Sequence, residues 1–241
     1  MSNLLWRLRV ITFYLVIAII SIIISPVIPI LCLINANYDT RYKLARAYSW
    51  IFIKSLQYIC GISHEIKGVT NIPNTISVVL SNHQSFWDNM IMILIFPQQS
   101  WVLKRELYKI PIFGQGLRIL NTIAIDRSNN ISVAQIIRHG TEKIKSGLWM
   151  IIFPEGTRLP VNKSIRLKPS GIKLAAINEV SIVPMVHNAG LFWPKGFWMI
   201  KPGKITIIID KPIATSKDTD IRALTSNLEQ WMIKEKNKLL A

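Results

Sequence analysis

From Val10 to Ile34 the chain runs for 25 residues without a charged side chain. An apolar stretch of that length must be covered by the rest of the fold or by a bilayer, since about 20 apolar residues in a helix cross a hydrocarbon core of ~30 Å. A cleaved secretory leader fits less well, because the apolar part is too long and no small-x-small site follows it. Pro26 and Pro29 interrupt the run. Each withdraws a backbone donor and disfavours helix in the residue before it. Basic residues stand on both flanks, Arg7 and Arg9 before and Arg41, Lys43 and Arg46 after. A spanning helix biases positive charge to one side. A helical hairpin that dips into one leaflet and turns near Ser25–Pro29 suits charge on both, and the two arrangements stay open. Either makes residues 1–62 a membrane anchor and leaves 63–241 as one catalytic-sized domain.

The composition narrows the partners. Half of the 241 residues are hydrophobic, yet 29 Lys and Arg against 13 Asp and Glu give a formal charge of +16. Positive charge on so apolar a chain points to an anionic lipid surface rather than to nucleic acid, whose binders are usually polar. A disordered or collagen-like chain is excluded. Cys32 and Cys60 make no disulfide framework, and no CxxC or Cys/His cluster offers a metal site.

Asp39-Thr40 reads as a helix N-cap and Gly61 as the stop, with Leu44, Tyr48, Ile51 and Leu56 at helical spacing between them. Beyond Gly61 short apolar runs alternate with helical patterns. Strands are expected at Ile76–Leu80, Trp101–Leu103, Thr122–Ile125, Trp149–Phe153, Ser181–Val186 and Lys204–Ile209. Helices are expected at Trp87–Ile95, Ile112–Leu120, Ser132–Ser146, Pro169–Asn178 and Thr219–Lys238. This alternation indicates a layered α/β fold.

Reactive residue types collect just after four of those strands: Ser81 to Asp88, Lys104-Arg105-Glu106, Asp126-Arg127, and Pro154-Glu155-Gly156-Thr157-Arg158. Open α/β sheets bind ligands outside the carboxyl ends of their strands, so parallel neighbours would bring the four loops to one crevice. His83 in a loop lies within reach of Asp88 in the first turn of the next helix. A carboxylate that fixes the imidazole tautomer leaves the other ring nitrogen free to take a proton. Ser85 lacks the Gly-x-Ser-x-Gly elbow of a nucleophile and reads as a loop or capping hydroxyl. Trp87 reads as a packing residue. Lys104, Arg127 and Arg158 are the cations that a phosphate or phosphoanhydride requires. Lys168-Pro169-Ser170-Gly171 is an ordinary helix start or a further anion site. Leu191 to Trp198 mixes aromatics with Lys195 and is either a packed hairpin or a second interfacial contact.

The ordered set Asn82-His83-Gln84-Ser85-Phe86-Trp87-Asp88, Ile125-Asp126-Arg127, Phe153-Pro154-Glu155-Gly156-Thr157-Arg158 and Val183-Pro184 resembles the four blocks of the glycerolipid acyltransferases, most closely bacterial members. The likeness covers roughly Ile76 to Pro184. It implies a mixed sheet flanked by helices behind an N-terminal membrane anchor. It also implies acyl transfer from a thioester, acyl-CoA or acyl carrier protein, to the 2-hydroxyl of lysophosphatidate, with no cofactor and no metal. By the same resemblance His83 is the general base and Asp88 its partner. Glu155, Gly156, Thr157 and Arg158 bind the acceptor, with Arg127 and Lys104 as helper cations. The expected place is the inner membrane with the active site on its cytoplasmic side. Three rivals stay open: another lysolipid or glycerol-3-phosphate as acceptor, a serine hydrolase through Ser85, and a non-enzymatic basic membrane or nucleic-acid binder.

Overall fold

The computed structural model describes residues 3–110, 113–125, 132–196 and 198–240. Its N-terminal part is a helical hairpin. Helix α1 (Asn3–Ile24) ends at a turn over Ser25 and Pro26, and a short helix α2 (Val27–Leu33) follows. Pro29 is tolerated within the first turn of α2, where backbone N–H groups have no partner inside the helix anyway. Helix α3 (Tyr38–Cys60) packs back against α1. Its cap is Asn37 rather than Asp39: the Asn37 side chain accepts from Thr40 N–H at 2.9 Å. The reason is conformational, since Asn37 keeps the extended backbone a cap needs while Asp39 already lies in the first helical turn. Gly61 ends the helix as expected, at φ +65°, where a side chain would be strained.

The catalytic-sized part is a seven-stranded sheet: β1 (Ile62–Lys67), β2 (Ser77–Ser81), β3 (Gln99–Lys104), β4 (Ile123–Ile125), β5 (Trp149–Ile152), β6 (Ser181–His187) and β7 (Gly203–Ile209). The spatial order is β1-β7-β6-β2-β5-β3-β4. Strands β6, β2, β5, β3 and β4 are mutually parallel, whereas β7 runs antiparallel to β6 and carries β1 beside it. The mixed sheet expected from the sequence is therefore present. Strand β1 is an addition: Ile-Ser-His-Glu-Ile-Lys has too few apolar residues to read as a strand, because it is a half-exposed edge.

Helices α4 (Trp87–Ile95), α5 (Phe113–Ile119), α6 (Ser132–Lys145), α7 (Ser170–Asn178) and α8 (Ile221–Lys238) complete the layers. Alternation within strands sorts their side chains between two cores. Val79, Ile151, Val183 and Met185 face α1, α3 and α4, while Val78, Leu80, Met150 and Ile152 face α6, α7 and α8. Burial on both sides explains why the central strands read as unbroken apolar runs.

Helix α1 does not stand away from this body. Val10 and Phe13 are buried, Phe13 meets Phe52 and Trp193 edge-on, and Trp6 Nε1–H donates to the Ile200 carbonyl at 2.7 Å. Its opposite face exposes Leu4, Leu8, Leu15, Ile19, Ile22 and Ile23. The stretch Leu4–Leu33 is long and apolar enough to cross a membrane.

Candidate active site

Strands β2, β5, β3 and β4 lie side by side and parallel, so their carboxyl ends open on one edge of the sheet. At the end of β2 the loop Asn82–Phe86 feeds α4, and Asp88 sits in the first turn of that helix. Asp88 Oδ2 accepts from the backbone N–H of Gln84 at 2.8 Å and of Ser85 at 2.9 Å. The same oxygen faces His83 Nδ1 at 3.0 Å. A carboxylate only accepts, so the proton of neutral His83 stands on Nδ1 and Nε2 keeps its lone pair. Asp88 is fully buried, and burial alone would raise its pKa. The two nearby imidazoles, His187 and His83, and the Ser85 N–H outweigh burial and hold the carboxyl below its ordinary range. Its other oxygen, Oδ1, is buried with no hydrogen-bond partner among the described residues. The His83 ring lies against Phe153, centroids 4.0 Å apart and planes 18° apart, and its side chain retains 17% exposure.

Phe153 begins the turn that follows β5. Gly156 adopts φ +75° there, and its N–H donates to the Phe153 carbonyl at 3.0 Å. Glu155 folds inward, and its Oε2 accepts from the backbone N–H of His83 at 3.2 Å. Burial pushes the Glu155 carboxyl up to about 8; the His83 N–H works against that, Asp88 reinforces it, and Lys236 on α8 opposes it.

A cavity of about 550 Å³ opens over His83 and Phe153. Lys104, Thr157, Arg158 and Lys195 line it on the polar side, and Ile24, Ile28, Leu44, Ile93 and Leu120 supply apolar wall from the helical hairpin, α4 and the end of α5. Lys104, Arg158 and Lys195 are exposed, and none of them pairs with a carboxylate among the described residues. The arrangement joins a proton acceptor, a cationic patch and an apolar wall in one cavity.

The structure thus brings together His83, Asp88, Lys104, Gly156, Thr157 and Arg158. Glu155 is adjacent but lies behind His83, bonded to its backbone rather than lining the cavity. Arg127 lies outside the described residues. Ser85 is fully buried in the loop before the cap residue Phe86, where its Oγ accepts from Trp87 N–H at 3.2 Å, and Trp87 is buried in the core. Lys195 was legible only as a lysine among aromatics. His187, described below, carried no motif at all.

The Acyltransferase family model matches residues 63–188. A 1-acyl-sn-glycerol-3-phosphate acyltransferase of Pseudomonas aeruginosa is 34% identical over 237 residues, covering 93% of this chain and 89% of that protein. A protein of the same description from Cocos nucifera is 30% identical over 178 residues, covering 73% of this chain and 58% of its own length. In three dimensions the fold is that of the crystal structure of the 1-acyl-sn-glycerophosphate acyltransferase PlsC from Thermotoga maritima, with a TM-score of 0.81, 23% identity and full coverage of both chains.

Proposed function

The chain belongs to the acyltransferase family, and we propose that it moves an acyl group from a thioester to the 2-hydroxyl of lysophosphatidate, giving phosphatidate. The observation that carries this reading is the 3.0 Å contact of His83 Nδ1 with a buried, ionised Asp88, at the floor of a cavity lined by Lys104, Arg158 and Lys195. The acceptor hydroxyl gives its proton to His83 Nε2 as its oxygen bonds the thioester carbonyl carbon. Asp88 stabilises the imidazolium that forms. Collapse of the tetrahedral adduct breaks the carbon–sulfur bond, and His83 returns the proton to the departing thiolate. No acyl-enzyme is formed, in keeping with a Ser85 hydroxyl engaged by its own helix.

Arg158, Lys104 and Lys195 receive the phosphate, and Gly156 and Thr157 shape the turn that presents Arg158. Arg127 serves as a further cation for the acceptor. Glu155 supports the reaction from behind by holding the peptide of His83. The apolar wall takes an acyl chain.

The acceptor is a membrane lipid, and the hairpin of α1 and α3 supports a one-leaflet anchor over a spanning helix. One face of α1 is spent on the domain, and the other exposes a continuous apolar row. Exposed Leu191, Trp198 and Met199 serve as a second interfacial contact. The +16 charge holds this face on an anionic cytoplasmic leaflet. The donor is acyl-CoA or acyl carrier protein.

The deciding experiment follows labelled acyl-CoA, and separately acyl carrier protein, into a panel of lysolipids with purified protein in phospholipid–detergent micelles beside His83→Ala. Transfer selective for lysophosphatidate and lost in the variant is expected. Transfer to a different lysolipid would correct the acceptor, and silence with both donors would overturn the reading.

A further inference from the structure

A second imidazole stands behind the dyad. His187 is the last residue of β6, fully buried, with the indole of Trp87 edge-on at 6.2 Å. Its Nδ1 accepts from the Ala189 N–H at 3.3 Å, which leaves the ring proton on Nε2. Nε2 lies 2.9 Å from the Asn82 carbonyl oxygen and 3.6 Å from Asp88 Oδ2. The first is a hydrogen bond; the second is too long for one and acts only as a dipole aimed at the carboxylate.

The Asn82 carbonyl and the His83 N–H belong to one peptide unit. His187 holds its oxygen at 2.9 Å, and Glu155 holds its N–H at 3.2 Å. A planar peptide pinned at both ends has no rotation left, so the direction in which His83 leaves the backbone is set. Asn82 returns the grip: its Oδ1 accepts from the His187 N–H at 3.0 Å, and its Nδ2 donates to the His187 carbonyl at 2.9 Å. A further tie joins Gln84 Oε1 to the Gly190 N–H at 3.0 Å. The end of β6 therefore serves as a template on which the loop carrying the base is laid.

We propose that His187 is a positioning residue for acyl transfer, a neutral imidazole that fixes the peptide before His83 and backs the Asp88 carboxylate. The proposal rests on the acyl-transfer reading above. The role requires an uncharged ring, and burial lowers the His187 pKa. The charge of Asp88 and the bond to Asn82 work against that, and His83 reinforces it; those are the groups that face the ring.

The test compares wild type with His187→Leu and His187→Gln in phospholipid–detergent micelles, using lysophosphatidate with acyl-CoA or acyl carrier protein. Loss of the Nε2 donor in the leucine variant should lower kcat by roughly 10- to 100-fold, the scale of a small misplacement of reacting groups. The acceptor KM should stay within about threefold, and the glutamine variant, whose amide offers an N–H in place of Nε2–H, should recover most of the rate. Equal loss in both variants, an unchanged leucine variant, or a loss confined to KM would overturn the proposal. Should the leucine variant not fold, histidine ¹⁵N resonances of the wild type decide. The signal absent from His187→Gln must report a neutral ring protonated at Nε2, and an Nδ1–H tautomer or a charged ring at neutral pH overturns the assignment. Silence of the wild type with both donors would instead remove the acyl-transfer reading itself.

Discussion

The floor and the rim of the cavity are built on opposite terms. At the floor, Asn82, Asp88 and His187 are fully out of water, and His83 is held through its backbone N–H by the Glu155 carboxyl and through its ring by Asp88. At the rim, Lys104 at the end of β3 and Arg158 and Lys195 on the loops after β5 and β6 are exposed. Proton transfer depends steeply on geometry, so its groups are fixed by burial and bonding before substrate arrives. A phosphate is recognised mainly by charge, which acts over longer distances and tolerates a mobile cation. The floor should therefore govern kcat and the rim KM, and four measurements can break or sharpen that division.

The largest effect belongs to the dyad. His83→Ala and Asp88→Asn should each lower kcat by about 10²–10⁴-fold, the range of positioned acid–base catalysis, with acceptor KM changed only a few-fold. Steady-state kinetics on folded variants decides this, and a folded His83→Ala protein with wild-type turnover would remove the base. In Asp88→Asn the amide oxygen can still accept from Gln84, Ser85 and His83 where Oδ2 does, but the side chain carries no negative charge to stabilise the imidazolium.

Glu155 tests whether the floor is held by charge or by hydrogen bonding. Its folded pKa of about 8 exceeds an ordinary value near 4.5. Between those values the unfolded chain has released the proton that the folded protein still holds. Stability from this group is therefore complete below about pH 4.5 and is lost as pH rises to about 8, by on the order of a few kcal/mol. Glu155→Gln keeps an oxygen for the His83 N–H and has no proton to lose. The variant's Tm should exceed that of wild type by a margin that grows from pH 5 to pH 8.5. A margin independent of pH would mean that Glu155 is ionised in the fold.

Arg158→Ala should raise the acceptor KM roughly 10-fold and leave kcat within about threefold, since an exposed cation contributes binding more than orientation. A fall in kcat with KM unchanged would move Arg158 from rim to floor.

What the sequence revealed follows the same division in part. The chemistry was legible where it is encoded by residue types at short spacing: His83 with Asp88, and Glu155 through Arg158 after an apolar strand. The central strands were legible because burial on both faces makes them uninterrupted. Strand β1 was not, since an edge strand with Ser63, His64 and Glu65 shows no such run. The helix cap moved from Asp39 to Asn37 because capping depends on which residue keeps an extended backbone, and composition alone does not say. His187 was invisible for a deeper reason. It lies more than a hundred positions from Asn82, and its role exists only because β6 is the parallel neighbour of β2. The inward turn of Glu155 was hidden likewise, as a surface carboxylate and a buried one share the same letter.

The smallest effects should come from the two lysines, and they test the rim most sharply. Lys104 and Lys195 carry point charges on flexible stems in contact with water. Each alone gains little by meeting a phosphate, because ordering the side chain offsets part of the attraction and solvent screens the rest. Lys104→Ala and Lys195→Ala should therefore raise acceptor KM only about two- to fourfold at low salt. At about 1 M salt the screening length falls to about 3 Å, so both differences should shrink toward none. The dyad's contribution acts over direct hydrogen-bond contact with a fully buried Asp88, so the kcat ratio for His83→Ala should stay where it was under the same salt. Kinetics at the two ionic strengths thus separates the groups without any assumption about where the phosphate sits. A lysine whose KM effect survives 1 M salt must contact the acceptor directly in a desolvated pair, and one whose loss lowers kcat at both strengths belongs with the buried floor.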